Sequence, residues 1–310
     1  MSTFAVAGIT QLETIVNVGE IPIRYQPLTS AKNSIHIAAG GDAYNETLAL
    51  KWLGDEALLL SLVGRDQDMS IFNPAGRKVT ISTEYMMPLL EEMPMQVILC
   101  DKERRQQIFE DIKGLREVNY DMSMVTPLIA RCDMLVLSNA NFCRPFIKVA
   151  QRYHRPIAVN VHEYLKEKET YNKDFLKAAS VLYFSDDTIH DDPFAFVEDI
   201  ASRYKPEIII LGQGAKGLIL YDRARKINVH YNSVKTNEVV NTAGAGNALF
   251  ACFLHRYLEC ADSTIAIKDA LLFASYKIGY VGTSTGFLTE EQLEQWRNLI
   301  WGINAQGVTS

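Results

Sequence analysis

A glycine-rich segment in the last third of the chain has the residue types of an oxyanion or phosphate site. A strand is predicted to end at Val240, and a helix is predicted to begin near Asn247 and to run to about Leu258. Between them, Gly244 and Gly246 allow the backbone to turn so that several N–H groups face one point. The N-terminus of the helix adds partial positive charge there. Taken alone, the segment is more typical of a tight strand-to-helix connection.

A second glycine pair opens another predicted helix near the start of the chain. Gly40 and Gly41 precede a segment that carries apolar Leu48, Trp52 and Leu53 on one helical face. In a doubly wound α/β sheet, ligands bind beyond the carboxyl ends of the strands, where such helices begin. The second pair therefore favours an anion-binding site over a tight turn alone.

The third glycine-rich segment has the GxGxxG spacing but not the context that this motif requires. Gly212, Gly214 and Gly217 follow the predicted strand Ile208–Leu211, and a dinucleotide-binding fingerprint needs a helix next. Leu218–Asp222 has the pattern of another strand, so these glycines are predicted to form a turn between strands. No glycine is followed by Lys-Ser or Lys-Thr, which excludes a Walker A loop.

Short apolar runs alternate with segments of helical periodicity through the second half of the chain. The runs start about 22–27 residues apart. Buried strands that alternate with amphipathic helices predict βαβ units and a doubly wound, mainly parallel sheet with helices on both faces. The predicted strands are Met134–Leu137, Pro156–Val161, Val181–Phe184 and Ile208–Leu211, and the predicted helices are Arg144–Tyr153, Asn172–Ala179 and Pro193–Tyr204.

The first third of the chain predicts a second, smaller sheet. Phe4–Ile9 and Ala57–Val63 are predicted as buried strands of the main sheet. Half-polar strands from about residues 14–38 and 95–109 are predicted to form a lid within a single α/β domain spanning residues 1–310. A small exposed sheet commonly covers a site or forms an interface, so we expect a homodimer through the lid. The predicted lid strands are Thr14–Val18, Ile21–Tyr25, Ser34–Ala38, Met95–Cys100 and Gln106–Phe109.

Composition excludes several classes of protein. The 310 residues are 48% hydrophobic and 22% charged, with a net charge of −6, which is typical of a globular protein without nucleic-acid or membrane partners. No apolar run approaches the roughly 18 residues of a membrane span, and the first charged residue is Glu13, which argues against a secretory signal. Five scattered cysteines without a CxxC motif predict reduced thiols in a cytoplasmic protein.

Four motifs together resemble those of the ribokinase, or PfkB, family of carbohydrate kinases. The resemblance covers most of the chain and implies a ribokinase-like α/β sandwich with a small β lid. It also implies Mg²⁺-assisted transfer of the γ-phosphoryl group of ATP to a hydroxyl of a sugar or nucleoside. The motifs are Gly40-Gly41 with Asn45, Val63-Gly64-Arg65-Asp66, Gly214-Ala215-Lys216-Gly217, and Asn241-Thr242-Ala243-Gly244-Ala245-Gly246-Asn247, which resembles DTxGAGD.

The resemblance implies roles for individual residues. Position 247 is that of the general base towards the acceptor hydroxyl, and the preceding residues form an anion hole for the transferred group. The implied anion hole is Gly244, Ala245 and Gly246. The implied acceptor side is Glu13, Gly40, Gly41 and Asn45. The implied nucleotide side is Gly212, Gly214, Gly217, Asn241 and Thr242.

Several catalytic positions depart from the family pattern. Asn247 and Asn241 stand where the motif has aspartates, and an amide cannot accept a proton in the useful pH range. The metal-organising NxxE motif falls on Ser185–Thr188, where neither end matches, so Asp186 and Asp187 are the remaining candidates for a metal. On the acceptor side, Glu13 replaces an aspartate, and residues 160–162 (Asn-Val-His) replace a DxN pair.

Three hypotheses remain open on these residues. The chain is a kinase with slow or altered chemistry, a kinase-derived nucleotide or sugar sensor without catalysis, or a structural protein that shares the fold. Phosphoryl transfer depends mostly on positioning and electrostatics, so loss of a base need not abolish it. If position 247 is the missing base, Asn247→Asp is expected to raise turnover by at least about tenfold.

Overall fold

The computed structural model describes residues 1–74 and 78–302, which contain thirteen strands and eight α-helices. The strands are β1 (Thr3–Ala7), β2 (Gln11–Asn17), β3 (Ile35–Gly40), β4 (Glu56–Gly64), β5 (Met86–Leu90), β6 (Met95–Cys100), β7 (Gln106–Asp111), β8 (Met134–Ser138), β9 (Ile157–Glu163), β10 (Val181–Ser185), β11 (Ile208–Gly212), β12 (Leu218–Asp222) and β13 (Ile227–Tyr231). The helices are α1 (Asp42–Trp52), α2 (Met122–Ile129), α3 (Arg144–Arg152), α4 (Glu169–Ala178), α5 (Pro193–Tyr204), α6 (Ala245–Cys260), α7 (Ser263–Lys277) and α8 (Glu290–Trp301).

Nine strands form the main sheet in the order β13-β12-β11-β10-β9-β8-β1-β4-β5. From β11 to β5 in this spatial order, each strand pairs in parallel with its neighbour. Strands β12 and β13 are added antiparallel at one edge. Successive side chains of β1 enter different cores: Phe4 packs with residues of α1, α6 and α7, and Ala5 packs with residues of α2 to α5. The predicted doubly wound sandwich with helices on both faces is therefore confirmed.

The smaller sheet contains four strands in the order β3-β2-β6-β7. Strands β2 and β6 run in parallel, and the two outer strands pair antiparallel with them. The predicted strand Ile21–Tyr25 is wrong, because these residues lie in an exposed connection between β2 and β3. Pro22 in this segment lacks the N–H that a paired strand would donate.

The segment before α6 also differs from its predicted structure. No strand ends at Val240; instead the amides of Val240 and Asn241 donate to the carbonyl of Ile278, at the end of α7. Helix α6 begins at Ala245, two residues before the predicted start, because Gly244 adopts a left-handed conformation that closes the turn. Within the described part of the chain, no helix has both the length and the apolar character needed to cross a membrane.

Candidate active site

The first glycine pair forms a sharp turn between β3 and α1. Gly41 has φ +96° and ψ 157°, a conformation that side-chain-bearing residues rarely adopt. A Cβ atom at Gly40 would lie 2.2 Å from the carboxylate carbon of Glu13, and one at Gly41 would lie 2.5 Å from the carbonyl oxygen of Ile9. The backbone needs glycine at both positions because it packs directly on β2 and on the connection between β1 and β2.

The buried carboxylate of Glu13 holds this turn in place by hydrogen bonding. Its carboxylate accepts hydrogen bonds from the amide of Gly41 at 2.9 Å, from the side chain of Gln11 at 3.4 Å and from the hydroxyl of Thr283. Burial of the carboxylate raises the pKa of Glu13, and the hydrogen bonds oppose that shift. Because protein donors already occupy both of its oxygens, contact between Glu13 and a ligand stays a prediction.

Asn45 lies one helical turn beyond the glycine pair. The backbone N–H of Asn45 donates to the carbonyl of Gly41 at 2.9 Å, and this bond starts the hydrogen bonding of α1. Its side-chain oxygen is buried and has no partner among the described residues. A buried carbonyl oxygen without a donor is costly, and a ligand hydroxyl is the kind of group that would satisfy it.

The anion loop, which we define as residues 241–246, contains the predicted anion hole and leads into α6. Gly244 has φ +78°, no side chain caps the helix, and the amide of Ala245 already donates to the carbonyl of Thr242 at 3.2 Å. The amides of Gly246 and Asn247 lie in the first helical turn, where the helix itself offers no acceptor. This uncapped N-terminus has the donors and the partial charge that a phosphate group requires.

Lys277 holds the anion loop from inside the protein. Its fully buried ammonium group donates to the carbonyls of Ala243 and of Gly282, the latter at 2.7 Å. Burial lowers the pKa of Lys277 to about 8, although the charge of Glu13 opposes this effect. A single cation therefore joins the start of the loop to the segment that follows α7.

The two glycine loops meet at Thr283. Its hydroxyl donates to Glu13, which holds Gly41, while a Cβ atom at Gly244 would lie 2.7 Å from the carbonyl oxygen of Thr283. The structure thus brings together the residues predicted on the acceptor side and those of the anion hole.

The turn between β11 and β12 lies beside the anion loop. Residues 218–222 form a strand after this turn, as the sequence predicts, and that strand pairs antiparallel with β11. A Cβ atom at Gly212 would lie 2.7 Å from the hydroxyl of Tyr183, and one at Gly246 would lie 2.6 Å from it, so a single side chain separates the two segments. Gly214 and Gly217 have φ of +54° and +106°, which the tight turn requires.

Asn241 and Thr242 contact the smaller sheet. The side chain of Gln106, on β7, donates to the hydroxyl of Thr242 at 2.7 Å. The side chain of Asn241 accepts from the amide of Ala243 at 2.7 Å and lies 3.5 Å from the sulfur of Cys100 on β6. Asn241 therefore shapes the loop, and the smaller sheet is joined to it by hydrogen bonds.

The two candidate metal ligands follow β10 at the same edge of the sheet. The amide of Asp186 donates to the carbonyl of Gly212 at 2.9 Å, and its carboxylate accepts from Gln213 at 3.3 Å. The carboxylate of Asp187 accepts from the hydroxyl of Ser185 at 2.7 Å. These two acids lie beside the predicted nucleotide turn, and among the described residues each carboxylate has one side-chain donor.

A cluster of polar side chains fills the space between α1, α6 and β9. The side chain of Asn160 donates to Glu46 at 2.7 Å and to the side-chain oxygen of Asn247 at 3.1 Å. The side-chain amide of Asn247 also lies near the carboxylate of Asp42 and helps to lower its pKa. His162 completes the cluster, with Nε2 2.9 Å from a carboxylate oxygen of Asp42.

The cluster controls the protonation of its own members. Burial opposes the charged forms of both His162 and Asp42, but their mutual attraction raises the pKa of His162 to about 9 and lowers the pKa of Asp42. Burial, with the nearby charge of Asp42, raises the pKa of Glu46 to about 8. Near pH 7 the cluster therefore contains one ion pair and one neutral carboxylic acid.

Glu46→Gln is expected to flatten the pH dependence of stability. The folded protein holds a proton on Glu46 between its ordinary pKa of 4.5 and the raised pKa of about 8, while the unfolded chain releases it. The stabilisation from this proton is complete below pH 4.5 and is lost as the pH rises to about 8. Each pKa unit is worth about 1.4 kcal/mol, and about 1 kcal/mol shifts the melting temperature of a chain of this size by about 2–4 °C. From pH 5 to pH 8, the melting temperature of the wild type should therefore fall by at least about 4 °C more than that of the variant. Calorimetry measures the melting temperature of both proteins at each pH. If the two plots of melting temperature against pH were parallel, this prediction would be contradicted.

Sequence reasoning missed five side chains of this site. Asp42 and Glu46 follow the first glycine pair, and their acidic character was visible, but nothing in the pattern showed that Asn247 would face them. A lysine within an otherwise apolar helical segment is a sequence signal that could have indicated a special role for residue 277. The missed side chains are Asp42, Glu46, Tyr183, Lys277 and Thr283.

Comparison with known proteins agrees with this geometry. Residues 1–290 match the model of the pfkB family carbohydrate kinases. A deoxyribokinase from Salmonella typhi is 22% identical over 95% of this chain and 98% of its own length. A nucleoside kinase from Methanocaldococcus jannaschii is 24% identical over 96% of this chain and 98% of its own length.

Solved structures share the fold. A microbiome-derived acarbose kinase superposes with a TM-score of 0.83 at 21% identity, covering 95% of this chain and 98% of the other. A ribokinase from Arabidopsis thaliana, complexed with ribose and ATP, superposes with a TM-score of 0.75 at 14% identity, again covering 95% and 98% of the two chains.

Proposed function

The chain belongs to the pfkB family of carbohydrate kinases and is a phosphotransferase, and we propose that it transfers the γ-phosphoryl group of ATP to a hydroxyl group of a sugar or nucleoside. The observation that carries this proposal is the uncapped N-terminus of α6, which lies beside the turn at Gly41. One loop supplies donors for a phosphoryl group, and the other opens the helix that holds the unpartnered oxygen of Asn45.

The proposed roles follow the two loops. The amides of the anion hole hold the transferred group, and the oxygen of Asn45 accepts from an acceptor hydroxyl. Asn241, Thr242 and the turn formed by Gly212, Gly214 and Gly217 border the nucleotide. Glu13 and the Gly40-Gly41 turn shape the acceptor side, and the smaller sheet covers it as a lid.

The residues at the end of β10 are suited to a magnesium ion. Mg²⁺ in kinases is held by one or two carboxylates together with phosphate oxygens and water, and Asp186 and Asp187 offer two carboxylates beside the predicted nucleotide turn. We propose these two residues as its ligands. Bound there, the ion would neutralise charge on the nucleotide phosphates.

A nucleotide or sugar sensor without catalysis is the second candidate function. It is favoured by one observation, the amide side chain of Asn247 at the position where the family has its general base. Such a protein would keep both binding loops and lose proton transfer.

Binding and turnover separate these functions. Thermal unfolding is measured with ATP or ADP, with and without Mg²⁺, and with ribose, 2-deoxyribose, fructose or inosine; ADP release is then measured with each acceptor. A kinase shows a raised melting temperature with nucleotide and ADP release that requires an acceptor. A sensor shows the raised melting temperature without ADP release. If the protein shows neither a raised melting temperature nor ADP release, both proposed functions are contradicted.

We also propose a homodimer that buries the outer face of the smaller sheet. Because side chains alternate along a strand, the row that contains buried Glu13 faces the site, and the next row faces outward. Ile37 and Phe109 lie in that outer row and are 67% and 55% exposed. Exposed apolar side chains on a small sheet favour association.

The variant Ile37→Lys/Phe109→Lys is expected to shift the dimer to monomer in sedimentation velocity at micromolar concentration. Leu299→Lys, on an exposed position of α8, is the control and should leave the dimer unchanged. A wild-type protein that sediments as a monomer would contradict the proposed dimer.

The cysteines support a reducing compartment. Among the described residues all five thiols are free, with four of them buried and Cys260 exposed. Because disulfides persist mainly in oxidising compartments, unpaired cysteines support the proposed cytoplasmic location.

A further inference from the structure

The carboxylate of Asp42 lies beside the position where the family has its general base. Asp42 is the first residue of α1, where the helix dipole favours a negative charge. The side-chain amide of Asn247, at the start of α6, lies near that carboxylate and helps to lower the pKa of Asp42. Two helix N-termini therefore meet at one point, and the carboxylate between them comes from α1 instead of α6.

Neighbouring residues fix the orientation of the Asn247 amide. Its oxygen accepts the hydrogen bond from Asn160 at 3.1 Å, so the NH₂ group is the part of this side chain that is free to face Asp42. In this orientation Asn247 has no basic atom to offer an acceptor hydroxyl.

His162 keeps Asp42 ionised. The backbone of His162 has φ +56° beyond an irregularity in the pairing of β9 with β10, and its amide donates to the side-chain oxygen of Asn160 at 3.2 Å. This local conformation brings Nε2 of His162 to 2.9 Å from Asp42. With His162 protonated near neutral pH, Asp42 is present as a carboxylate.

Asp42 is also reachable from the space beneath the smaller sheet. Its side chain is 22% exposed, whereas Asn247 as a whole is 5% exposed. Glu110, in the same cross-strand row of the smaller sheet as buried Glu13, interacts electrostatically with Asp42 and His162 across that space. The other titratable groups that act on this cluster are Glu46 on α1, which is neutral near pH 7, and Glu163 at the end of β9. Arg116 acts on Glu110.

We propose that Asp42 is the general base of this phosphotransferase, in place of a residue at position 247. This inference rests on the proposed function. As the acceptor oxygen forms its bond to the γ-phosphorus of ATP, its proton passes to a carboxylate oxygen of Asp42. The bond between the γ-phosphorus and the bridging oxygen breaks, and ADP leaves. Asp42 then releases the proton to solvent.

This role reverses the expectation for Asn247→Asp. The variant would put a second carboxylate against Asp42, and two like charges in contact raise the pKa of one of them. The pair would then hold a proton near neutral pH, and the charge of His162 would be shared. Asn247→Asp alone should therefore not increase turnover.

Exchanging the two side chains tests the assignment. Wild type, Asp42→Asn, Asn247→Asp and the double variant are assayed with ATP and whichever of ribose, 2-deoxyribose, fructose or inosine the wild type uses fastest. Asp42→Asn should lower kcat by about 10²–10⁴-fold with little change in KM. The double variant moves the carboxylate back to position 247 and should exceed Asp42→Asn by at least about tenfold. Thermal unfolding and ATP binding verify that each variant folds.

The outcomes distinguish this inference from the proposed function. If the wild type turns over and Asp42→Asn keeps its kcat, or if Asn247→Asp gains tenfold or more, Asp42 is not the base and the kinase assignment stands. If Asp42→Asn is inactive and the double variant stays equally inactive while binding ATP, Asp42 has another role and the inference fails. If the wild type forms no product with any acceptor, the proposed function fails, and the inference fails with it.

Discussion

Gly41→Ala is expected to lower the free energy of unfolding by about 4 kcal/mol. The backbone at Gly41 lies in a region that costs side-chain-bearing residues about 1–3 kcal/mol. The new methyl group would also lie 2.5 Å from the carbonyl oxygen of Ile9, and overpacking of this kind costs about 1–3 kcal/mol more. Chemical denaturation measures the loss directly. Because Gly41 opens α1, binding of any acceptor should weaken as well.

Gly19→Ala is the matched control for this substitution. Gly19 is exposed, its φ lies outside the positive range, and a Cβ atom there would have no neighbour within 4 Å. The free energy of unfolding of the Gly19→Ala variant should stay within about 0.5 kcal/mol of the wild-type value. If the two variants were equally stable, the turn at Gly41 would be less constrained than its geometry indicates.

Lys277→Met is expected to lower the free energy of unfolding by about 3 kcal/mol and to weaken ATP binding. Methionine nearly preserves the length of the side chain but leaves the buried carbonyls of Ala243 and Gly282 without their donor. Each buried acceptor left unpaired costs about 1–3 kcal/mol, and the relief from burying a charge offsets part of that sum. Ala243 precedes the anion hole, so the loop should lose its fixed shape.

The control for the lysine lies on the same helix. Lys268 is an exposed residue of α7, and Lys268→Met should change neither stability nor ATP binding beyond about 0.5 kcal/mol. Denaturation and calorimetric titration with ATP are measured for both variants. A Lys277→Met protein with wild-type stability and affinity would show that the two carbonyls find other donors.

The main sheet could be predicted because its strands are buried on both faces. The five residues of β8 are all buried, and four of them form a continuous apolar run that is easily distinguished from an amphipathic helix. The smaller sheet was harder to predict, since its strands are half exposed and resemble ordinary loops. Ile21–Tyr25 has strand-like composition, but within the described part of the chain it pairs with no strand.

The candidate site could be predicted only in part. Glycines are readable because a positive φ or a close backbone approach admits no other residue, as at Gly41 and Gly244. The partners of Asp42 could not be read, because its contacts depend on how α1, α6 and the end of β9 meet in space. A residue separation of more than a hundred positions between Asp42 and His162 leaves no local pattern to detect.

The shared contact at Thr283 has a thermodynamic consequence for the order in which ligands bind. Thr283 lies against Gly244 and donates to Glu13, which in turn holds Gly41, so a shift of either loop changes the environment of the other. Linkage then requires reciprocity: whatever factor a bound nucleotide applies to the affinity for acceptor, the acceptor applies to the affinity for nucleotide. A change at Thr283 would therefore alter the cooperativity between the two ligands, even though Thr283 is assigned no direct contact with either of them.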